Sequence, residues 1–381
     1  MTHRATAAVP AQKDGGATIL EIGQQPDVWR EVAGHDDTAV AGFLAAIISR
    51  PDVRVILTGA GSSAFIGDIA AAALRRHLGR RVDAIPTTDI VAAPLDYLEP
   101  QTPTLLVSFG RSGNSPESTA TTQLADRIVE EVAHLVLTCD PDGELGRTHR
   151  DRADSCVVPM PARTNDTGFA MTSSLTSMLL ACLRLLGPAT ADDGDRLARA
   201  ARYVTDLQPD ISALAQSKRR RFVYLGSGPL EGLSRESALK LLELTAGEVV
   251  TYFDSPLGFR HGPKSALDGD TLVTVYVSTD PYTRRYDLDI VAEIRGQLGV
   301  DAVQVISTEP IPETHGPAIV LPGLSGLDDA LVALPYLVFA QYLALFTALE
   351  HGKTPDNPFP SGEVNRVVQG VTIYPMPGSG A

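Results

Sequence analysis

The side chains best suited to chemistry fall in three short stretches of the 381-residue chain. The first, Ser108-Phe-Gly-Arg-Ser-Gly-Asn-Ser-Pro-Glu-Ser118, follows the apolar run Thr104 to Val107 and precedes a helix expected from Pro116. A strand, a hydroxyl-rich loop and a helix start together hold an anion, because free backbone N–H groups and the positive end of the helix dipole converge there. Ser108, Ser112, Ser115 and Ser118 add hydroxyl donors, two glycines let the backbone approach closely, and Pro116 suits a first helical turn. The chemistry would be phosphate binding. The same composition also suits an ordinary loop in which Ser115 merely caps a helix.

The second stretch is Glu236, Lys240 and Glu243, spaced i, i+4, i+7 so that all three share one helix face. They could form a surface ion-pair ladder of modest worth. Yet Ala238, Leu239, Leu241, Leu242 and Leu244 surround them, which leaves little of this helix free for water, and a half-buried glutamate is a candidate proton carrier. The third is the loop Gly258-Phe-Arg-His-Gly-Pro-Lys-Ser265, whose Gly/Pro boundaries hold His261 in place. A lone loop histidine is often incidental; beside a buried glutamate and a phosphate cradle it can carry a proton near neutral pH.

Composition narrows the partners. With 44% hydrophobic and 20% charged residues the chain is globular, and its length suits two domains. A net charge of −14 argues against nucleic acid as a partner, the run Lys218 to Arg221 being too short to offset it. Cys139, Cys156 and Cys182 are odd in number and widely spaced, with no C-x-x-C pair and no H-E-x-x-H, so neither disulfides nor a zinc site are expected. Met1 to Gly16 is polar, lacks the apolar core of a signal peptide and should fray, which fits a cytoplasmic protein. Ala330 to Leu349 is long enough to cross a bilayer, but Pro335, Gln341 and Thr347 interrupt it and it stands alone. A buried helix, and no membrane partner, is the expectation.

Stepping along the chain, Ile22 to Arg50 reads as helical. Val53 to Leu57 reads as a strand running into the glycine turn Thr58 to Ala64, and an Ala-rich helix follows to Leu78. Strands are expected at Asp83 to Ile85, from Thr104, at His134 to Thr138 and at Ser155 to Pro159. Helices are expected from Pro116 to Val132, Gly168 to Leu186 and Arg196 to Leu214. The pattern then repeats. Phe222 to Leu225, the turn Gly226-Ser-Gly228 and a helix from Leu230 mirror the start of the first half. Strands at Thr271 to Val277, Ala302 to Ile306 and Ile319 to Leu321, with helices at Asp287 to Leu298 and up to Glu350, mirror the rest. Where the first half has its serine loop the second has Ser278-Thr-Asp-Pro281, so an aspartate stands where anion donors are wanted. Gly59, Gly61 and Ala64 also fit G-x-G-x-x-A, with Asp83 about twenty residues on. That keeps a nicotinamide enzyme as a rival, although Ser62 and Ser63 place hydroxyls where a pyrophosphate needs bare backbone.

These residues resemble the double SIS (sugar isomerase) proteins over about residues 35 to 375. The helix Glu236-Ser-Ala-Leu-Lys-Leu-Leu-Glu243 and the loop Arg260-His-Gly-Pro263 are similar to the isomerase domain of glucosamine-6-phosphate synthase. Phe259 to Ser265, Thr164-Asn-Asp-Thr-Gly-Phe-Ala-Met-Thr172 and Pro360 to Val371 are closer still to the galactosamine-6-phosphate deaminase/tagatose-6-phosphate isomerase family. The resemblance implies an α/β architecture of two doubly wound parallel-sheet SIS domains with flanking helices, residues 35–215 and 216–381. It implies that Glu243 moves a proton between C1 and C2, that His261 assists ring opening, often from a neighbouring subunit, and that Lys240 and Glu236 support the site. Ser62, Ser63, Ser108, Arg111, Ser112, Asn114 and Ser115 would bind the sugar phosphate. Gln369 stands where the synthase has a ring-opening lysine, a role that Lys264 or Arg366 would take here. No glutaminase domain or N-terminal cysteine is expected, against a glutamine-dependent synthase. The implied protein is a homodimer or higher homo-oligomer that needs no metal or other cofactor and converts galactosamine 6-phosphate to tagatose 6-phosphate and ammonia. A ketose/aldose isomerase without deamination, or a sugar-phosphate-binding regulator, are the alternatives.

Overall fold

The computed structural model describes residues 15–368 and 370–376. The start expected to fray lies outside the described residues up to position 14, and a helix, Gly16–Gly23, begins just beyond it. The chain divides into two compact units. One holds Val28–Asn165, Ser173–Gly194 and the tail from Ser361; the other holds the residues up to Asp27, Asp166–Thr172 and Asp195–Pro360.

The first unit is built on five parallel strands, β1 Arg54–Thr58, β2 Val82–Ala84, β3 Thr104–Gly110, β4 Val132–Thr138 and β5 Ser155–Pro159, in the order β2-β1-β3-β4-β5. β1 and β3 are buried along their whole length, which is why they read as unbroken apolar runs rather than alternating ones. The second unit repeats the plan with β6 Arg221–Gly226, β7 Val250–Asp254, β8 Thr271–Tyr276, β9 Val303–Ser307 and β10 Ile319–Val320, in the order β7-β6-β8-β9-β10. In such sheets the strand order reverses once, between β1 and β3 or between β6 and β8, and ligands bind beyond the carboxyl ends of the strands at that point. The serine loop follows β3 and the first glycine turn follows β1. Both therefore open at the reversal.

Four expected helices are cut short or broken for local reasons. The one expected from Pro116 to Val132 stops at Ile128, where Val129 turns to extended backbone and the chain enters β4 at Val132. Ile22 to Arg50 is broken between the helices Gln25–Ala33 and Thr38–Ile48, where Asp36 accepts hydrogen bonds from the N–H and hydroxyl of Thr38. The helix expected from Gly168 begins at Ser173, since Asp166 captures the N–H of Thr172 at 2.7 Å. Arg196 to Leu214 is two helices, Asp193–Asp206 and Gln208–Ala215, because Pro209 cannot donate to the preceding turn. β7 was not anticipated, although Val-Thr-Tyr-Phe is β-prone. In the second unit the helix Asp329–Glu350 is long and apolar enough to cross a membrane, yet its apolar window is wholly buried. It packs against the helix Pro229–Leu244, where each buried leucine contributes about 1.5–3 kcal/mol.

The first unit also buries two histidines. His134 on β4 and His149 at the end of the helix Glu144–His149 are sealed from water with ring centroids 4.6 Å apart. His134 Nε2 lies 2.8 Å from Asp126 and His149 Nδ1 lies 2.9 Å from Ser155, while the other nitrogen of each is buried without a partner. Burial pushes His149 down to about 4, and His134 downward despite Asp126. Both rings fold neutral, whereas the unfolded chain takes up protons near pH 6.5, so these groups withdraw stability as pH falls from about 7 towards 4. Calorimetry on His149→Leu should therefore show a shallower loss of thermal midpoint between pH 7 and pH 5 than the parent. An unchanged slope would remove this pair as the cause.

Candidate functional site

The cradle in the first unit is shaped by glycines and held from behind. After β1, a Cβ on Gly59 would lie 2.6 Å from that of Ser63, and Gly61 has φ +56°, so neither position accepts a side chain without strain. The turn delivers Ser62 and Ser63, both buried, into the first turn of the helix Ser62–Leu78. After β3, the loop is pinned by Cys139 N–H on the Gly110 carbonyl at 3.2 Å and Leu145 N–H on the Gly113 carbonyl at 2.9 Å. Gly143 approaches so closely that a Cβ there would stand 2.0 Å from the Ser112 carbonyl oxygen.

Within that loop the predicted residues divide by what occupies them. Ser108 is buried on β3 with its hydroxyl unpartnered. Ser112 accepts only a 3.3 Å bond from Asn114 N–H. Ser115 occupies the N-cap position of the helix Pro116–Ile128 but does not cap it; its hydroxyl donates to Glu117 at 2.7 Å. The Asn114 carboxamide oxygen is taken by Glu144 N–H at 2.9 Å, and Arg111 is largely buried and donates to the Arg366 carbonyl at 2.8 Å. Hydroxyls, a helix N-terminus and one guanidinium thus belong to one loop, a set of groups that suits an oxyanion.

The second unit carries the predicted acid–base candidates. On the helix Pro229–Leu244, Glu236 and Lys240 are essentially sealed from water while the Glu243 side chain is 26% exposed. The Lys240 ammonium donates to Glu243 Oε2 at 2.6 Å and lies 3.4 Å from Glu236 Oε1. This is no surface ladder: a buried cation grips the one of the two carboxylates that reaches solvent. One wall of the helix is fixed by Ser237, whose hydroxyl lies 2.7 Å from that of Tyr276 on β8.

His261 is exposed, its N–H bound to the Gly258 carbonyl at 2.9 Å and followed by Gly262 at φ +127°. Its loop is anchored by Glu293 on the helix Thr283–Leu298, which binds Arg260 at 2.7 Å and also the Lys264 ammonium. Lys264 is therefore placed as a loop anchor. Gln369 lies outside the described residues. Asp83 does not face the glycine turn as a ribose partner would; it accepts from Arg54 at 2.6 Å and lies 2.8 Å from Arg81, which weakens the nicotinamide alternative.

Glu293 was missed from sequence, as was Glu21. The latter is largely buried on the helix Gly16–Gly23 and accepts from Thr167 N–H at 2.5 Å, its hydroxyl at 2.8 Å and Gly168 N–H at 3.1 Å. Burial chiefly, with Asp166 nearby, raises its carboxyl above the ordinary range. Both acids act across long sequence separations, so no spacing rule marks them.

Twin five-stranded parallel sheets with a hydroxyl-lined loop in the first define the class, and the SIS domain family model matches residues 47–186. The chain belongs to the D-galactosamine-6-phosphate deaminase AgaS family. An AgaS protein of Streptomyces coelicolor is 52% identical over 97% of this chain and 98% of its own length. The D-galactosamine-6-phosphate deaminase AgaS of Escherichia coli O157:H7 is 46% identical over 96% and 97%. The crystal structure of tagatose-6-phosphate ketose/aldose isomerase from Escherichia coli superimposes with a TM-score of 0.88 at 43% identity, covering 95% of this chain and 97% of that one.

The buried triad makes a stability prediction. Lys240→Met leaves the Glu236 carboxylate sealed without its ammonium and should cost about 3–5 kcal/mol. Glu243→Gln keeps an oxygen for the ammonium and leaves Glu236 as its counter-charge, so it should cost less, about 1–2 kcal/mol. Urea unfolding of the two variants checks the order, and equal losses would contradict the buried-cation account.

Proposed function

We propose that this chain is an aminosugar-phosphate deaminase/isomerase that converts galactosamine 6-phosphate to tagatose 6-phosphate and ammonia, without a metal ion, in the cytoplasm and as a homo-oligomer. Its SIS domains would span 35–215 and 216–381. The observation that carries the chemistry is the Lys240 ammonium, buried and 2.6 Å from the only partly exposed carboxylate of the triad, Glu243. A base must be held still and yet reach its substrate, and this arrangement supports both requirements.

In the proposed sequence Ser62, Ser63, Ser112 and Ser115, with Arg111, hold the phosphate. His261 helps the pyranose open to its aldehyde. Glu243 then removes the C2 proton; the electron pair forms the C1–C2 double bond as the aldehyde oxygen is protonated, giving an enolamine. A proton returned to C1 leaves a C2 iminium, and water adds to it and expels ammonia, so that the C2 ketone results. Lys240 keeps the Glu243 carboxylate oriented through both transfers, and Glu236 balances the lysine charge.

An aldose–ketose isomerisation without deamination uses the same C1–C2 proton transfer, and the Escherichia coli structure named for that reaction supports it as the second reading. Ammonia release separates the two. Purified protein treated with a chelator should release ammonia from galactosamine 6-phosphate faster than from glucosamine 6-phosphate, and Glu243→Gln should lower the rate by about 10²–10⁴-fold. Ketose formation from aldose phosphate with no ammonia from either aminosugar would select the second reading, and loss of activity on chelation would refute metal independence.

A further inference from the structure

The second unit repeats the turn geometry of the first cradle and then fills it. Gly228 after β6 has φ 57° and ψ −123°, against 56° and −129° for Gly61 after β1. A Cβ on Gly226 would meet the Leu230 carbonyl at 2.4 Å, just as one on Gly59 would collide with Ser63. Donors gather at the same topological place, beyond the carboxyl ends of β6 and β8. They are the Ser227 hydroxyl, the N–H and hydroxyl groups of Ser278 and Thr279, and the N–H groups of Tyr282 and Thr283 at the head of the helix Thr283–Leu298.

Each of those donors ends on a carboxylate of the same unit. Asp329 accepts the Ser278 hydroxyl at 2.5 Å and the Thr279 N–H and hydroxyl at 2.7 and 2.9 Å. Asp287 accepts the Ser227 hydroxyl at 2.6 Å and Ser278 N–H at 2.9 Å. Asp280 accepts Thr283 N–H at 2.8 Å and Tyr282 N–H at 3.1 Å. Asp287 is sealed from water and Asp329 nearly so, and burial pushes the first up to about 6 and the second above the ordinary range. Two acids held so far from water are costly to keep charged, and the donors around them offset that cost as they would for a bound oxyanion.

We propose that the Asp287 and Asp329 carboxylates serve as internal ligands in a second oxyanion site equivalent to the cradle of the first unit, so that each chain takes a single phosphate. This rests on the reading of the Ser112/Ser115 loop as a phosphate cradle. Removing the two carboxylates frees donors of the kind the first cradle offers, and the emptied site is matched to inorganic phosphate or the phosphate of a sugar.

Equilibrium dialysis against labelled inorganic phosphate at pH 7.5 tests both statements separately. The parent protein should bind one phosphate per chain, Ser112→Ala/Ser115→Ala none, and Asp287→Ser/Asp329→Ser two. A folded Asp287→Ser/Asp329→Ser protein that still binds one, or a parent that binds two, overturns the internal-ligand proposal. A parent that binds none while Asp287→Ser/Asp329→Ser binds one upholds it and overturns the cradle reading instead. If that double variant fails to fold in chloride, refolding in phosphate of matched ionic strength provides the second arm. Recovery in phosphate alone supports the proposal, because a ligand that binds only the folded form stabilises it. Failure in both salts overturns it.

Discussion

The interaction on which the site depends is the ion pairing of Lys240 within the body of the second unit. An ammonium without water is tolerable only beside opposite charge, and here Glu236 and Glu243 supply it from the adjoining turns of the same helix. The pairing needs a helix that is buried and fixed in rotation. The Asp329–Glu350 helix packed on one side and the Ser237–Tyr276 hydrogen bond to β8 meet those conditions. Glu243 is thereby held at one oxygen while part of its side chain faces water. A salt bridge of this kind is poor evidence for stability taken alone; its value lies in fixing one carboxylate in one place.

The same electrostatic logic, with the signs exchanged, organises the two strand-order reversals. Backbone N–H groups and hydroxyls at a sheet's carboxyl edge form a pocket for negative charge. In the first unit the hydroxyls of Ser108 and Ser112 are free or weakly engaged; in the second, aspartates on later elements take up the donors. The repeated fold therefore carries two different arrangements of charge, one with hydroxyls left open at the reversal and the other with its donors taken by carboxylates. Neither the glycine turns nor the sheet order had to change for that to happen.

Much of this was legible in the chain itself. Nine of the ten strands showed through buried β-branched runs such as Val53 to Leu57, the turns through glycines that exclude a Cβ, and the Glu236/Lys240/Glu243 face through helical spacing alone. What stayed hidden depends on contacts distant in sequence. Asp329 lies 51 residues from Ser278, and Glu21 lies 146 from Thr167, so their roles leave no local pattern. Asp280, legible in the sequence as an acid among the would-be anion donors, does take two of them, the N–H groups of Tyr282 and Thr283, but the larger share goes to Asp287 and Asp329, which no local spacing marks. β7 escaped because five residues at a sheet edge, with Val250 exposed, give a weak periodic signal. Helix ends differ from the sequence pattern where Asp36 or Asp166 captures an N–H that a longer helix would have used, and where Pro209 breaks the run.

The most direct test of the account follows the hydrogen at C2. Galactosamine 6-phosphate deuterated at C2 should lose its label to C1 or to solvent with the parent protein. Glu243→Gln should leave the label in place while still binding the substrate through the phosphate loop. Label lost at the parent rate in Glu243→Gln would show that another group is the base, and the role assigned to the carboxylate gripped by Lys240 would fall with it.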